Sequence, residues 1–184
     1  MGVSRTALPS PVRVIGGLAR GRQLKAKLPA SVRPTTDYCR EAIFCMLEAR
    51  GGLQDLIVAD LYCGSGAIGI EALSRGAAEV YFVDHNPVCL DAAKTNLTPF
   101  GLPGEAHYVK AELPTWNPPA DLDLVIADPP YGALNLAALL RDVRAPRAII
   151  ENDRFMDAPE GWEVVKEKRY GTTLVTMLER TEDA

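Results

Sequence analysis

The sequence predicts an α/β fold: a three-layer sandwich with a mostly parallel sheet, a terminal antiparallel hairpin and a short basic β-hairpin at the start. Three observations predict it. Apolar runs of strand length at residues 56–59, 80–83 and 122–127 alternate with helical patterns, as expected of parallel strands covered on both faces. A Gly-rich turn sits between the first run and the helix after it. The last two β patterns, 163–168 and 172–178, have no helix between them, so they pair as a hairpin. At 184 residues the chain suits a single core, and 47% hydrophobic with 24% charged residues excludes disordered, collagenous and membrane classes.

The elements follow in order. Short extended stretches at 12–15 and 23–25, separated by Gly16-Gly17 and Gly21, predict a small hairpin carrying Arg13, Arg20 and Arg22. Pro29 and Pro34 punctuate the chain, and Thr35-Thr36-Asp37 offers capping chemistry for a helix over 36–49 that stops at Gly51-Gly52. The strand at 56–59 ends at Asp60, and a helix over 67–75 closes on Gly76. After the strand at 80–83, Asn86 caps a helix with Pro87 at its first position, running to about residue 97. A short strand at 107–109, a loop with Pro114, Pro118 and Pro119, and the strand at 122–127 lead to Asp128-Pro129-Pro130-Tyr131. A helix over 134–141, a strand over 147–151 and the hairpin complete the chain.

The formal net charge of −4 argues, as an average, against an acidic partner. It conceals an asymmetry. Residues 1–40 carry eight basic side chains against the single acid Asp37, or +7, while the rest carries 12 basic and 23 acidic residues, or −11. Such segregation suggests an N-terminal segment that meets a polyanion. Cys39, Cys45, Cys63 and Cys89 form no C-x-x-C pair and stand beside only two histidines, His85 and His107, so neither a metal site nor a disulfide framework is expected. No apolar run reaches membrane-spanning length and no signal-peptide pattern opens the chain, so a cytoplasmic, non-membrane protein is expected.

Gly64-Ser65-Gly66-Ala67-Ile68-Gly69 satisfies G-x-G-x-x-G between a strand and a helix, with the acid Asp84 20 residues beyond Gly64. This is the pattern of a nucleotide-like ligand. A pyrophosphate at the helix N-terminus would be repelled by a neighbouring carboxylate, and Asp60 lies four residues before Gly64. S-adenosylmethionine carries no phosphate but has an ammonium that a carboxylate can meet, so Asp60 favours it over NAD. Asp84 suits the ribose hydroxyls of either. His85 reads as an exposed loop residue near the adenosine.

Asp128-Pro129-Pro130-Tyr131 stands at the carboxyl end of a strand, where open α/β folds place reactive groups. An exocyclic amine becomes a better nucleophile when its N–H bonds point at acceptors. The Asp128 carboxylate and the Pro129 carbonyl supply two, in a stretch whose prolines donate nothing and hold the backbone stiff. Tyr131 offers a face on which a planar base can stack. The proton leaves after methyl transfer, so alignment rather than a strong base carries the reaction.

At these residues the sequence resembles the class I methyltransferases and, more narrowly, the bacterial family that methylates a guanine N2 of 16S ribosomal RNA. The likeness runs through Arg13-Val14-Ile15-Gly16-Gly17 with Gly21-Arg22, Arg33-Pro34-Thr35-Thr36-Asp37 with Arg40-Glu41, Asp60 to Gly66, Glu71-Ala72-Leu73-Ser74-Arg75-Gly76-Ala77, Asp128 to Tyr131 and Tyr170-Gly171-Thr172. DNA adenine methyltransferases share the Asp-Pro-Pro-Tyr type of motif; the Arg-Pro-Thr-Thr-Asp and Tyr-Gly-Thr segments are more discriminating.

The resemblance implies that Asp60, Gly64 and Gly66 hold the methionine part of S-adenosylmethionine, Asp84 the ribose and Glu112 with Leu113 the adenine edge, with Tyr62, Ser65 and His85 also among the cofactor-binding residues. Asp128, Pro129, Pro130 and Tyr131 hold the guanine. The sequence departs from the family pattern at Tyr62-Cys63, where Phe-Ala is common, at Asp84, usually Glu, and at Glu112, usually Asp. Arg13, Arg20, Arg22, Arg33 and Arg40 are the expected phosphate contacts. A basic arm over 1–28, a methyltransferase domain over 29–184, a monomer and a target base flipped out of a small-subunit particle complete the expectation. The rival readings are an NAD-dependent dehydrogenase, a DNA adenine methyltransferase and a non-catalytic RNA-binding assembly factor.

Overall fold

The computed structural model describes residues 12–26, 28, 37–130, 132 and 135–181. Its elements are α1 (Asp37–Glu48), β1 (Ile57–Leu61), α2 (Ala67–Ser74), β2 (Glu79–Asp84), α3 (Pro87–Leu97), β3 (Glu105–Lys110), β4 (Leu124–Ala127), α4 (Leu136–Leu140), β5 (Arg147–Asn152), β6 (Trp162–Tyr170) and β7 (Thr173–Arg180). The seven strands form one sheet in the order β3-β2-β1-β4-β5-β7-β6. The first five run parallel, while β7 lies antiparallel to both β5 and β6.

The two faces of the sheet explain the apolar runs. Even-numbered residues of β2 and β4, such as Val80, Phe82, Leu124 and Ile126, pack with α1, α2 and α3. Their odd-numbered neighbours Val83, Val125 and Ala127 pack with α4, Trp116, Leu122 and Val143. Both clusters are fully shielded, so alternation disappears from the sequence. The second covering layer is thin: α4 has five residues, starting later than the predicted 134 because the Asn135 side chain accepts from the Ala138 N–H at 3.0 Å and caps it there. β4 starts two residues later than predicted because Asp123 closes the ladder itself. Its N–H donates to the Ile57 carbonyl at 2.9 Å and its carboxylate accepts the Ile57 N–H at 2.8 Å. β3 is longer than the predicted strand; as an edge strand with mostly half-exposed residues it has no apolar run to read.

Helix α1 matches its prediction, although the expected cap at Thr35-Thr36 lies outside the described residues. α2 ends as the glycine predicts. The Gly76 N–H donates to Leu73 and the Ala77 N–H to Ala72, the paired bonds of a Schellman turn.

The N-terminal segment forms the predicted hairpin in a short form: the Leu24 N–H donates to Val12 O at 2.9 Å and the Val14 N–H to Arg22 O at 2.9 Å. A single antiparallel bridge joins Arg13 and Gln23, with a 3-10 turn at Gly17–Ala19 between them. The ladder cannot extend because main-chain donors are engaged elsewhere. The Ile15 and Gly16 N–H groups each donate to the buried Glu71 carboxylate at 2.6 Å, and the Ala19 N–H donates to Ser74 Oγ at 2.9 Å. Ser74 Oγ in turn donates to the Gly16 carbonyl at 2.6 Å. Gly17 has φ +69°, and a side chain there would run into the Ser74 carbonyl. Val14, Ala19 and Leu24 join the same core as α1 and α2. Residues 12–26 are thus docked on the body along α2.

Candidate active site

The carboxyl ends of β1, β2 and β4 meet in one place. β1 delivers Asp60, 1% exposed, whose carboxylate accepts the Gly69 N–H at 2.9 Å. The chain then turns through Tyr62, which adopts a left-handed φ of 60° rarely taken by a bulky residue. The Cys63 N–H donates to Val83 O at 3.1 Å, and the Gly66 N–H donates to Cys63 O at 2.7 Å to close the turn. Gly66 itself has φ +76°, and a Cβ there would lie 2.7 Å from Cβ of Ala93. At Gly69 a Cβ would lie 2.4 Å from the Phe82 ring, so this glycine sets how closely α2 approaches the sheet.

Asp84, at the end of β2, is buried and accepts the Gly64 N–H at 3.1 Å and the Asn86 N–H at 2.9 Å. The loop is tied from the other side by Asn96 of α3. Its side-chain amide donates to Ser65 O at 3.0 Å and accepts the Ala26 N–H at 2.8 Å. The N–H groups of Gly64, Gly66 and Gly69 are therefore engaged by the protein's own acceptors. A pyrophosphate would find no free N–H at these three glycines and would face two buried carboxylates. A cationic ammonium and ribose hydroxyls meet acceptors instead. This set of groups suits S-adenosylmethionine better than a dinucleotide.

Burial pushes the Asp60 carboxyl well above its usual range; the Gly69 N–H opposes this, and the charges of Asp128 and Asp84 add to the rise. That mutual influence places Asp128, at the end of β4, in the same field. Its own N–H donates to Leu61 O at 3.4 Å, which ties the start of the Asp-Pro-Pro segment to β1. Burial, then the charges of Asp60 and Asp84, pushes the Cys63 thiol far up. Cys89 is pushed up to about 11 by burial with the charge and hydrogen bond of Asp84. Both shifts favour the neutral thiol over the thiolate. Burial also raises the Tyr62 phenol.

Of the site residues expected from the sequence, Asp60, Gly64, Ser65, Gly66, Asp84 and Asp128 come together. Pro129 is buried and Pro130 exposed beside them, while Tyr131 lies outside the described residues. His85 is exposed, its Nδ1 3.4 Å from Asp84. Glu112 is exposed on the loop after β3; its carbonyl accepts from the Thr115 N–H and hydroxyl. Leu113 and Tyr62 both pack against the cluster on the α4 side.

The arginines divide. Arg13 and Arg20 are exposed. Arg22 is exposed too, but its guanidinium stacks 4.2 Å over the Phe100 ring and donates to the carbonyls of Pro99 and Phe100. Arg40 is corrected: it is fully buried and donates to Asp37 at 2.6 Å and Arg13 O at 2.8 Å, which locks the start of α1 to the arm and presents no charge to a phosphate. Arg33 lies outside the described residues. Glu71, Ser74 and Asn96, which fasten the arm and the glycine loop, carry no motif that marks this role in the sequence. Glu71 and Ser74 stand in the segment that carries the family resemblance, and a carboxylate amid an otherwise apolar helix was the available signal.

Residues 12–179 match the family described as Conserved hypothetical protein 95. The chain is 34% identical over 177 residues to the Bacillus subtilis protein YlbH, covering 91% of this chain and 92% of that protein. It is 33% identical over 175 residues to the Haemophilus influenzae ribosomal RNA small subunit methyltransferase D, covering 87% and 89%. The solved structure of Escherichia coli yhhF superposes with a TM-score of 0.75 at 29% identity, covering 92% of this chain and 97% of that one. With the strand order, the glycine turn and the three converging carboxylates, these similarities make the chain a methyltransferase of class I fold that belongs to the Conserved hypothetical protein 95 family.

Proposed function

We propose that the protein transfers a methyl group from S-adenosylmethionine to the exocyclic N2 amine of a guanine in 16S ribosomal RNA, presented in a small-subunit particle. The observation that carries the reading is the glycine turn whose N–H groups are engaged by Asp60, Asp84 and Cys63 O, beside Asp128-Pro129. The reaction supplied by the cofactor is attack on its sulfonium methyl. Asp60 would meet the ammonium, Asp84 the ribose and Glu112 with Leu113 the adenine, with Tyr62, Ser65 and His85 lining the cofactor. The Asp128 carboxylate and Pro129 carbonyl would accept the two N–H bonds of the amine, turning its lone pair toward the methyl. As the nitrogen becomes cationic, the Asp128 charge stabilises it. Tyr131 would stack on the base, which must leave its helix to reach the site.

Arg13 and Arg20 would meet the phosphate backbone, with Arg22 and Arg33 beside them. On this reading the enzyme acts as a monomer in the cytoplasm, where ribosomal subunits assemble; no helix among the described residues is long and apolar enough to cross a membrane. The test is transfer of labelled methyl to small ribosomal subunits by wild type and Asp128→Asn, with nucleoside mass spectrometry of the product. Wild type should form N2-methylguanosine, and Asp128→Asn should lose on the order of 100-fold in rate, in line with removal of one oriented electrostatic contact. No stabilisation by S-adenosylmethionine in a thermal-shift titration would overturn the cofactor roles given to Asp60 and Asp84.

A further inference from the structure

Tyr170-Gly171-Thr172 has a position that the cofactor pocket does not explain. Tyr170 pairs with Thr173, Leu174 with Asn152, and Ile150 of the same β5 with Ala127. The turn between β6 and β7 therefore stands at the carboxyl end of the sheet, level with Asp128–Pro130. At ordinary strand spacing it lies about 10–15 Å to the side of them.

Around that turn, aromatic and cationic groups interleave. The Tyr170 ring meets Tyr38 of α1 edge-on at 5.3 Å, and Lys168 Nζ stands 5.2 Å from the Tyr170 centroid. On the other side of β6, the Arg169 guanidinium lies 5.2 Å from the Phe155 ring. Tyr38 is 64% and Phe155 68% exposed, among the most exposed large hydrophobic residues described. Asp37, the residue before Tyr38, is held by Arg40 at 2.6 Å and approached by Arg13 at 3.8 Å, so its carboxylate is offset by two cations. These groups thus wrap the β6 edge of the rim: Arg13 in the arm, Tyr38, Tyr170 and Lys168 on one side of the strand, and Arg169 with Phe155 on the other.

We propose that this edge holds the unpaired ribonucleotides flanking the target guanine, with Tyr38 and Phe155 as stacking faces and Lys168 and Arg169 as phosphate contacts. The proposal rests on the RNA methyltransferase reading above. A flipped base leaves its neighbours unstacked, and exposed rings alternating with cations are the surface that accepts such bases without regard to sequence. Contiguity with Arg13 would let one strand engage the arm and the rim together. An edge strand uses lysines to discourage sheet pairing, but that purpose accounts for neither exposed ring.

The test is steady-state methyl transfer to small ribosomal subunits from a strain lacking the enzyme, using wild type, Tyr38→Ala, Tyr38→Trp, Phe155→Ala and Lys168→Ala. Loss of a stacked ring should raise KM for the particles roughly tenfold in Tyr38→Ala and Phe155→Ala. Binding of S-adenosylmethionine, followed by calorimetry, should not change, and Tyr38→Trp should restore KM. Lys168→Ala should flatten the salt dependence of particle binding. Unchanged KM in both alanine variants, with wild type active, would overturn the surface and leave the function standing. A wild type that transfers no methyl to the particles would instead remove the functional reading, and the surface with it.

Discussion

Asp60 is the residue where burial and function pull in opposite directions. Its carboxyl is raised by burial and by the charges of Asp128 and Asp84, against a single N–H from Gly69. Because the folded value exceeds the unfolded one, the group favours the fold at pH below its ordinary value and withdraws that contribution as pH rises through the raised one. An ammonium beside it reverses the preference. Affinity for S-adenosylmethionine should therefore rise with pH over the same interval, with proton release on binding at its acid end. Calorimetry in two buffers of different ionisation enthalpy would read both effects, and Asp60→Asn should abolish the pH dependence. A pH-independent affinity in the wild type would detach Asp60 from the ammonium. At this scale, the sequence already brought out Asp60, Asp84 and Asp128, since each ends an apolar run beside a turn of unusual composition. Arg40 misled because a cation on a partly apolar helix looks solvated, and only its contact with the Arg13 carbonyl, 27 residues earlier, reveals a packing role.

Among the elements, α2 does more than cover the sheet. Glu71 is fully buried and receives the Ile15 and Gly16 N–H groups together with Arg75 Nε at 2.8 Å. Glu71→Gln would turn an amide N–H₂ toward donors that now meet a carboxylate. The expected cost is about 1–3 kcal/mol, the usual penalty for leaving a buried polar group unpaired. Melting should fall by several degrees, and limited proteolysis should cut within residues 12–26 before the core opens; an unchanged cleavage pattern would mean that Val14, Ala19 and Leu24 suffice to hold the arm. The strands of the parallel core were legible because both faces are apolar. The arm was legible as a turn-bearing segment but not as a docked one, since its partners Glu71 and Ser74 lie about 55 residues away and nothing in local propensity links them. β3 was partly hidden for a different reason: its half-exposed face follows no apolar run.

For the molecule as a whole, the segregated charge acquires a layout. The −11 body holds the carboxylates that suit a cation and an amine, and residues 12–26, the described part of the basic arm, are fastened along α2 on one side of that body. If Arg13 and Arg20 meet phosphates, replacing each by Gln should weaken RNA binding and reduce the slope of log affinity against log salt by about one. Arg40→Gln should lower the melting temperature and leave that slope unaltered. Filter binding across a salt series would separate the two groups, and equal slopes throughout would make the arm a solvated face. One side chain carries this layout further. Asn96 grips the Ser65 carbonyl in the glycine loop with one end of its amide and the Ala26 N–H at the end of the arm with the other. Whatever stiffens either segment presses on the same hinge pin. Any help the nucleic acid gives the small ligand across it is returned in equal measure, because such a coupling is one free energy read from two sides.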